Sequence, residues 1–358
     1  MSRFLVRRLL SAIPVLFGIL IVTFVLARSI KGDPCTAILG ERATKADCEA
    51  FTARNGLNES IPTQFIYYMG NMARGDLGQS FRSNRTVVDI LVERLPVTIE
   101  LAMTALVIAI IVGIPLGVLA AYRHNSFIDV FTMTGANVGI SMPVFWLGLM
   151  LSYVFAVTLK DTPFALPPTG RLTAGLNPLP YYEVWGWVVD GQAPNPLWVF
   201  FGRFYVLNGL ITGNMQLFGD ALKHLILPAV TVGTIPLAII ARMTRSSLLE
   251  SLNQDYIRTA RSKGLAERHV LFTHGMRNAL LPVVTIIGLN FGFLVAGAVL
   301  TETVFGLTGI GRTLFEAITS RDYAVVQGVT LVTAVAFVAI NLLVDLFYGV
   351  LDPRIRLG

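Results

Sequence analysis

Apolar residues along this chain gather into runs about as long as a bilayer is thick, and polar residues are confined to the gaps between them. A hydrocarbon core roughly 30 Å thick needs about 20 mostly apolar residues in helical form. Six stretches meet or approach that length: 9–26, 97–121, 132–159, 225–241, 279–300 and 324–344, the fourth being the shortest. The pattern predicts an all-α, polytopic transmembrane helix bundle of about six spans with large external loops. It reads as one domain over residues 1–358, with its core at 95–350.

Prolines recur inside these runs: Pro14, Pro115, Pro143, Pro228, Pro236 and Pro282. They would break soluble helices, but in a membrane neighbouring helices re-satisfy the carbonyls that proline frees, so kinked spans are expected. The first run follows Arg3, Arg7 and Arg8 in the manner of a secretory leader. Its apolar stretch exceeds the roughly 7–15 residues of a leader core, and no small-residue cleavage site follows, so it reads as an uncleaved anchor.

Orientation follows from the bias of Lys and Arg toward the inner side in short loops. Arg3, Arg7, Arg8, Arg123, the cluster Arg242, Arg245, Arg258, Arg261, Lys263, Arg268 and Arg277, and finally Arg354 and Arg356 share one side. Both termini are therefore expected in the cytoplasm, with segments 29–96 and 160–223 outside. Between 175 and 204 the second segment carries Tyr181, Tyr182, Trp185, Trp187, Trp198, Phe200 and Phe201. Aromatics collect at headgroup level, so a helix or hairpin lying on the outer face is expected there.

Composition agrees with lipid as the solvent: 54% of residues are hydrophobic and 14% charged, against roughly 25% charged in soluble domains. The net charge of +6 is dispersed along the chain rather than interleaved with aromatics, which argues against nucleic acid as a partner. Cys35 and Cys48 match no spaced metal pattern. They lie in the first external segment, where either a disulfide or two free thiols would be compatible with the compartment.

No catalytic constellation emerges. Gly is nowhere followed by Lys, so the loop that cradles nucleotide phosphates is absent, and the chain itself should bind no cofactor and hydrolyse no ATP. Among His124, His224, His269 and His274 there is no zinc spacing; the last two are five apart, on different faces of an α-helix. Glu100, Glu302 and Asp345 lie near span ends, where snorkelling or a local partner can satisfy them, and they form no proton relay. Gly113 with Gly117, Gly135 with Gly139, and Gly288 with Gly292 make flat faces suited to close helix packing or to lining a pore. The lack of a visible repeat argues against a secondary transporter built of inverted halves.

Between the fourth and fifth runs lies Asn253-Gln254-Asp255-Tyr256-Ile257-Arg258-Thr259-Ala260-Arg261-Ser262-Lys263-Gly264-Leu265-Ala266-Glu267-Arg268. It reads as a short helix with an Asn or Asp start, basic residues in its last turn and a Gly stop, followed by a second helical stretch. Such a helix could touch a protein partner or lie on anionic headgroups.

The stretch resembles the cytoplasmic coupling loop of ABC importer permeases, in which an Ala and a following Gly, here Ala260 and Gly264, mark a helix that docks on the ATPase subunit. Tyr256-Ile257-Arg258-Thr259-Ala260-Arg261-Ser262-Lys263-Gly264-Leu265 and Arg277-Asn278-Ala279-Leu280-Leu281-Pro282 resemble the dipeptide and oligopeptide branch. So do Arg74-Gly75-Asp76-Leu77-Gly78-Gln79-Ser80, Arg94-Leu95-Pro96-Val97-Thr98-Ile99-Glu100-Leu101-Ala102 and Leu351-Asp352-Pro353-Arg354. The general importer motif begins Glu-Ala-Ala where this chain has Arg258-Thr259-Ala260, a difference typical of the peptide branch.

The resemblance implies an inner-membrane permease subunit. Its partners would be a second homologous permease, two ATPase subunits holding ATP and Mg, and an extracytoplasmic substrate-binding protein. Peptides are the expected cargo, with nickel chelates, oligosaccharides or opines as alternatives; an ion-coupled secondary transporter is the rival class. Asp255, Tyr256, Arg258, Thr259, Ala260, Arg261, Lys263, Gly264 and Glu267 are the expected coupling residues. Gly75, Asp76, Leu77 and Gly78 are expected at an outer gate or receptor surface.

Overall fold

Several predicted spans are the middle sections of helices much longer than the apolar runs that reveal them. The computed structural model describes residues 2–29, 34–40, 43–188 and 193–351. Its first helix is α1 (Ser2–Ser29). Short helices α2 (Pro34–Leu39), α3 (Lys45–Arg54) and α4 (Ile61–Ala73) precede α5 (Val87–Tyr122). Next come α6 (Phe127–Ser141) and α7 (Val144–Ser152), the latter continued by a π-helical stretch over Tyr153–Thr158. The aromatic segment supplies α8 (Tyr181–Val184), α9 (Pro196–Gly202) and α10 (Tyr205–Ile211) and leads into α11 (Met215–Leu252). After α12 (Asp255–Ser262) and α13 (Glu267–His269), a π-helical turn over Val270–Gly275 enters α14 (Met276–Val295). The chain then forms α15 (Val299–Val304), α16 (Ile310–Thr319) and α17 (Tyr323–Leu351). Arg354, Arg356 and the Asp352-Pro353-Arg354 end of the last sequence block lie outside the described residues.

Among the described residues five helices are long and apolar enough to cross a membrane, and the α6–α7 pair makes a sixth if its halves count as one span. The third predicted run is thus not straight: α6 and α7 meet at 101°. Pro143 is the cause, because its ring disfavours helical geometry at the preceding residue, and Met142 is extended at φ −77°, ψ 131°. The fourth run, the shortest by hydropathy, is the core of α11, which has 38 residues. Its ends are polar, so the apolar count missed them. The Asn214 side chain starts it by accepting from Leu217 N at 3.0 Å. The fifth run is cut after Val295, where Gly297 adopts φ 112° and a Cβ would fall 2.9 Å from the Gly311 Cα.

The bundle is organised around α5 and α11. A methyl at Gly117 would lie 2.5 Å from Ala241 O and 2.6 Å from Thr244 Cβ, and one at Gly233 would lie 3.0 Å from Ala105 O. Backbone-to-backbone approach of this kind is what small residues permit in membrane helices. A buried core of Val97, Leu101, Ala105, Leu225, Leu227, Ala229, Val232, Phe305 and Leu307 continues the contact toward one end. Gly288 and Gly292 receive Val344 and Phe337 of α17, whereas Gly135 has nothing within 4 Å. Two of the three glycine pairs are therefore packing faces, and the α6 pair is left open. The α1 helix lies on α17, with Arg8 and Asp345 paired at 2.8 Å.

The two ends of the bundle differ. One carries α12, α13 and the α5–α6 turn. The other carries α2–α4, α8–α10, α15 and α16, and there Cys35 and Cys48 are joined in a disulfide that ties α2 to α3.

Candidate functional site

The helix α12 presents two unlike faces. Ile257 and Ala260, three residues apart and so on one side, are buried against Val270, with Leu252 packed beside them. Asp255, Arg258, Thr259, Arg261 and Lys263 are exposed. Of the residues expected to couple to an ATPase, Ala260 thus seats the helix on the bundle, while the charged residues make its exposed surface.

Local chemistry fixes both ends of α12. Its first turn follows Gln254, in extended geometry and without a side-chain cap, while Asn253 closes α11 instead of opening α12. At the other end Gly264 takes φ 76°, its N–H donates to Arg261 O at 2.9 Å, and Leu265 N–H donates to Ala260 O at 3.4 Å. This pair of bonds is a Schellman stop, and its left-handed residue strongly favours glycine. Arg261 then reaches across the turn to Glu267 with two hydrogen bonds, 2.7 and 3.1 Å. These bonds hold the Arg261 guanidinium protonated even more firmly than a free arginine. Arg258 pairs with Asp255 at 3.3 Å on the fully solvated side, a contact of little energetic weight.

Tyr256 is the junction. Its hydroxyl lies 2.6 Å from Ser251 Oγ, at the end of α11, and accepts from Asn278 Nδ2 at 2.8 Å, at the start of α14. Ser251 Oγ in turn donates to Gly275 O at 3.0 Å. Two sequence blocks that are separate along the chain, 256–265 and 277–282, thus meet through one phenol.

The π-helical turn changes the expectation for the histidines. With residues five apart brought onto one face, the His269 and His274 rings meet edge to face at 5.5 Å. Among the described residues no cluster of three or more potential metal ligands is found.

A second ion pair steadies this end of the bundle. Arg245, two turns before the end of α11, grips Asp129 of α6 through Nε–Oδ1 at 2.6 Å and Nη2–Oδ2 at 2.7 Å, and Asp129 Oδ2 also accepts from Asn125 N at 3.0 Å. Asp129 is buried. Sequence reasoning missed this pair; the spacing of Ser126 and Asp129 is a readable helix start, but its partner is 116 residues away.

At the opposite end Gly75-Asp76-Leu77-Gly78 forms a tight turn. Gly75 and Gly78 take φ 82° and 85°, Gly78 N–H donates to Asp76 Oδ1 at 2.8 Å, and Gly78 O accepts from Val87 N at 3.0 Å. Leu77 packs on the core shared by α5 and α17, so the four residues staple the segment before α5 to the bundle. Glu100 is satisfied by Arg171 at 2.8 Å and by Val206 N at 2.7 Å. Arg171 also donates to Arg203 O at 2.7 Å and lies over the Tyr205 ring, fastening the aromatic segment to α5. Glu302 accepts from Thr98 Oγ1 at 2.6 Å and from Arg312 N at 2.8 Å, capping the start of α16.

A charged helix is thus seated on the bundle beyond its long apolar helices, with two distant sequence blocks joined at its root. The chain belongs to the binding-protein-dependent transport system inner membrane components: residues 113–357 match that family, and residues 1–102 match its N-terminal membrane component. It is 44% identical over 356 residues to the dipeptide transport system permease protein DppB of Alkalihalophilus pseudofirmus, covering 99% of this chain and 100% of that one. It is 43% identical to the Escherichia coli K12 protein of the same name over 99% of both chains. It is 36% identical to the oligopeptide transport system permease protein AppB of Bacillus subtilis, over 99% of this chain and 100% of the relative.

Proposed function

We propose that this subunit forms half of a peptide-conducting pore and takes its energy from a pair of ABC ATPases that dock on α12. The observation that carries the reading is the division of α12 into an anchored apolar face and a bare charged face, next to two transport-family matches that together span nearly the whole chain. Similarity to dipeptide and oligopeptide permeases over their full lengths supports a peptide cargo.

In this reading the α12 end is cytoplasmic, in keeping with the basic residues clustered there. A second homologous permease completes the pore within the lipid bilayer, and an extracytoplasmic binding protein delivers cargo at the other end. ATP and Mg belong to the ATPase subunits. When those subunits close on ATP, the motion reaches α12, and Tyr256 and the Ile257–Ala260 face pass it to α11 and α14 together. A partner shifts the equilibrium between pore states only by binding them unequally. The charged surface of α12 must therefore meet a different ATPase groove in each state. The turn at Gly75–Gly78 contributes to the outer gate by holding α5 against α17.

Reconstitution with the partner subunits tests this directly. ATP-dependent uptake of a labelled dipeptide is expected, as is disulfide crosslinking of Arg258→Cys or Lys263→Cys to an ATPase cysteine placed in its groove. Uptake that needs no ATPase, or labelling of position 258 by an impermeant reagent from outside the cell, would refute it.

A further inference from the structure

The outer end of the bundle holds a cavity of about 480 Å³ that neither the coupling site nor the packing explains. Its walls carry Arg82, Arg85, Arg94 and Arg312, with Glu316 beside Arg312. Two of the sequence blocks that carry the family resemblance end at it, one through Ser80 and the other through Arg94.

Counting donors shows what the cavity lacks. Each guanidinium offers five N–H groups and no acceptor. Arg85 and Arg94 share one carboxylate, Glu93, at 2.9 and 3.8 Å, and Arg94 Nη1 also donates to Thr308 O at 3.5 Å. Arg312 uses Glu316 at 2.8 Å, and the Arg82 side chain has no partner among the described residues. Asp322, the other carboxylate in the wall, is already committed to Ser80 Oγ at 2.6 Å and to the Arg82 backbone N–H at 3.4 Å. Positive donors therefore outnumber the acceptors they face, in a space within the range of small-ligand sites. Arginine forks of this kind match an anion of planar, two-oxygen geometry.

We propose that this cavity receives the C-terminal carboxylate of a peptide as it leaves the binding protein. The inference rests on the peptide cargo proposed above. Every linear peptide carries that group whatever its side chains, so a permease passing varied peptides can read it without discriminating among them. Glu316, half exposed on the α16 wall, supplies the opposite sign for an ammonium group of the same zwitterion.

The test uses the complete permease–ATPase complex in nanodiscs, without binding protein, titrated with labelled dialanine and with dialanine amide by saturation-transfer NMR. The free acid should bind at least about tenfold more tightly than the amide, and Arg94→Gln and Arg312→Gln should each weaken the acid about tenfold, as expected for loss of a charge-assisted fork. Arg94→Lys, which keeps charge but not the fork, should fall between. Co-elution with the ATPases reports that each variant has folded. Equal binding of acid and amide, or unchanged binding by both Gln variants, overturns the proposal. In a parallel titration with purified binding protein, variants that lose affinity for that protein while binding dialanine normally would also overturn it, because the cavity would then be a docking surface. ATP-driven dialanine uptake by the unmodified complex separates the two readings: uptake with equal acid and amide binding sinks this site alone, whereas absence of both uptake and binding removes the cargo assignment as well.

Discussion

Gly264 shows how far a single residue can be read from sequence and where the reading stops. Its place after a basic turn announces a helix stop, and the structure gives the cause: a left-handed residue whose N–H closes the last turn on Arg261. Gly264→Pro removes that N–H and is expected to abolish uptake while membrane levels, measured by immunoblot, stay normal. Ala260→Asp should do the same by forcing a carboxylate into the face shared with Ile257 and Val270. Arg258→Glu should instead leave α12 seated and lose ATPase binding, visible as failure to co-purify. The side that Ala260 faces was not legible, because a family motif marks a position without saying whether it looks inward or outward. Nor was the Arg245–Asp129 pair. Arg245→Ala leaves a buried carboxylate uncompensated and should cost about 3–5 kcal/mol, seen as a lowered Tm of the purified subunit. Asp129→Asn, which leaves no buried charge on α6, should cost less.

Among the helices, hydropathy located every span but misjudged several of their shapes. Apolar runs report where a helix is in contact with lipid, so the polar continuation of α11 beyond Arg242 and the break at Gly297 were invisible to them. Pro143 was read as one more kink, but it turns the chain by 101°, because its partner Met142 lies in the pre-proline position at a helix end. Glycine pairs were read as packing or pore faces without a choice between them, and the structure separates the cases. Gly117→Ala should destabilise by about 1–3 kcal/mol, since the methyl meets the α11 backbone. Gly135→Ala has open space around it and should be neutral in the isolated chain, as measured by thermal unfolding in detergent. A loss of permease pairing in that second variant would identify the α6 face as the seam between subunits.

At the scale of the whole molecule, the membrane class and the family resemblance were readable from the chain, while the architecture of the end opposite α12 was not. Its clasps join residues far apart in sequence: Glu100 with Arg171, Ser80 with Asp322, Thr98 with Glu302. Each of these acids has a polar partner that no local pattern names. The compartment rule left Cys35 and Cys48 open between thiols and a disulfide, and the structure joins them across 13 residues. Replacing both by serine should cost the α2–α3 segment about 3 kcal/mol by loop entropy, measured as faster protease cleavage within residues 34–54. At the α12 end, the helix divides into a face that seats it on the bundle and a charged face left bare. In the function proposed above, the exposed Arg258 and Lys263 would meet the ATPase without any part in seating the helix. Importers built this way can trade ATPases through changes on that surface alone, leaving the conduit and its selectivity as they were.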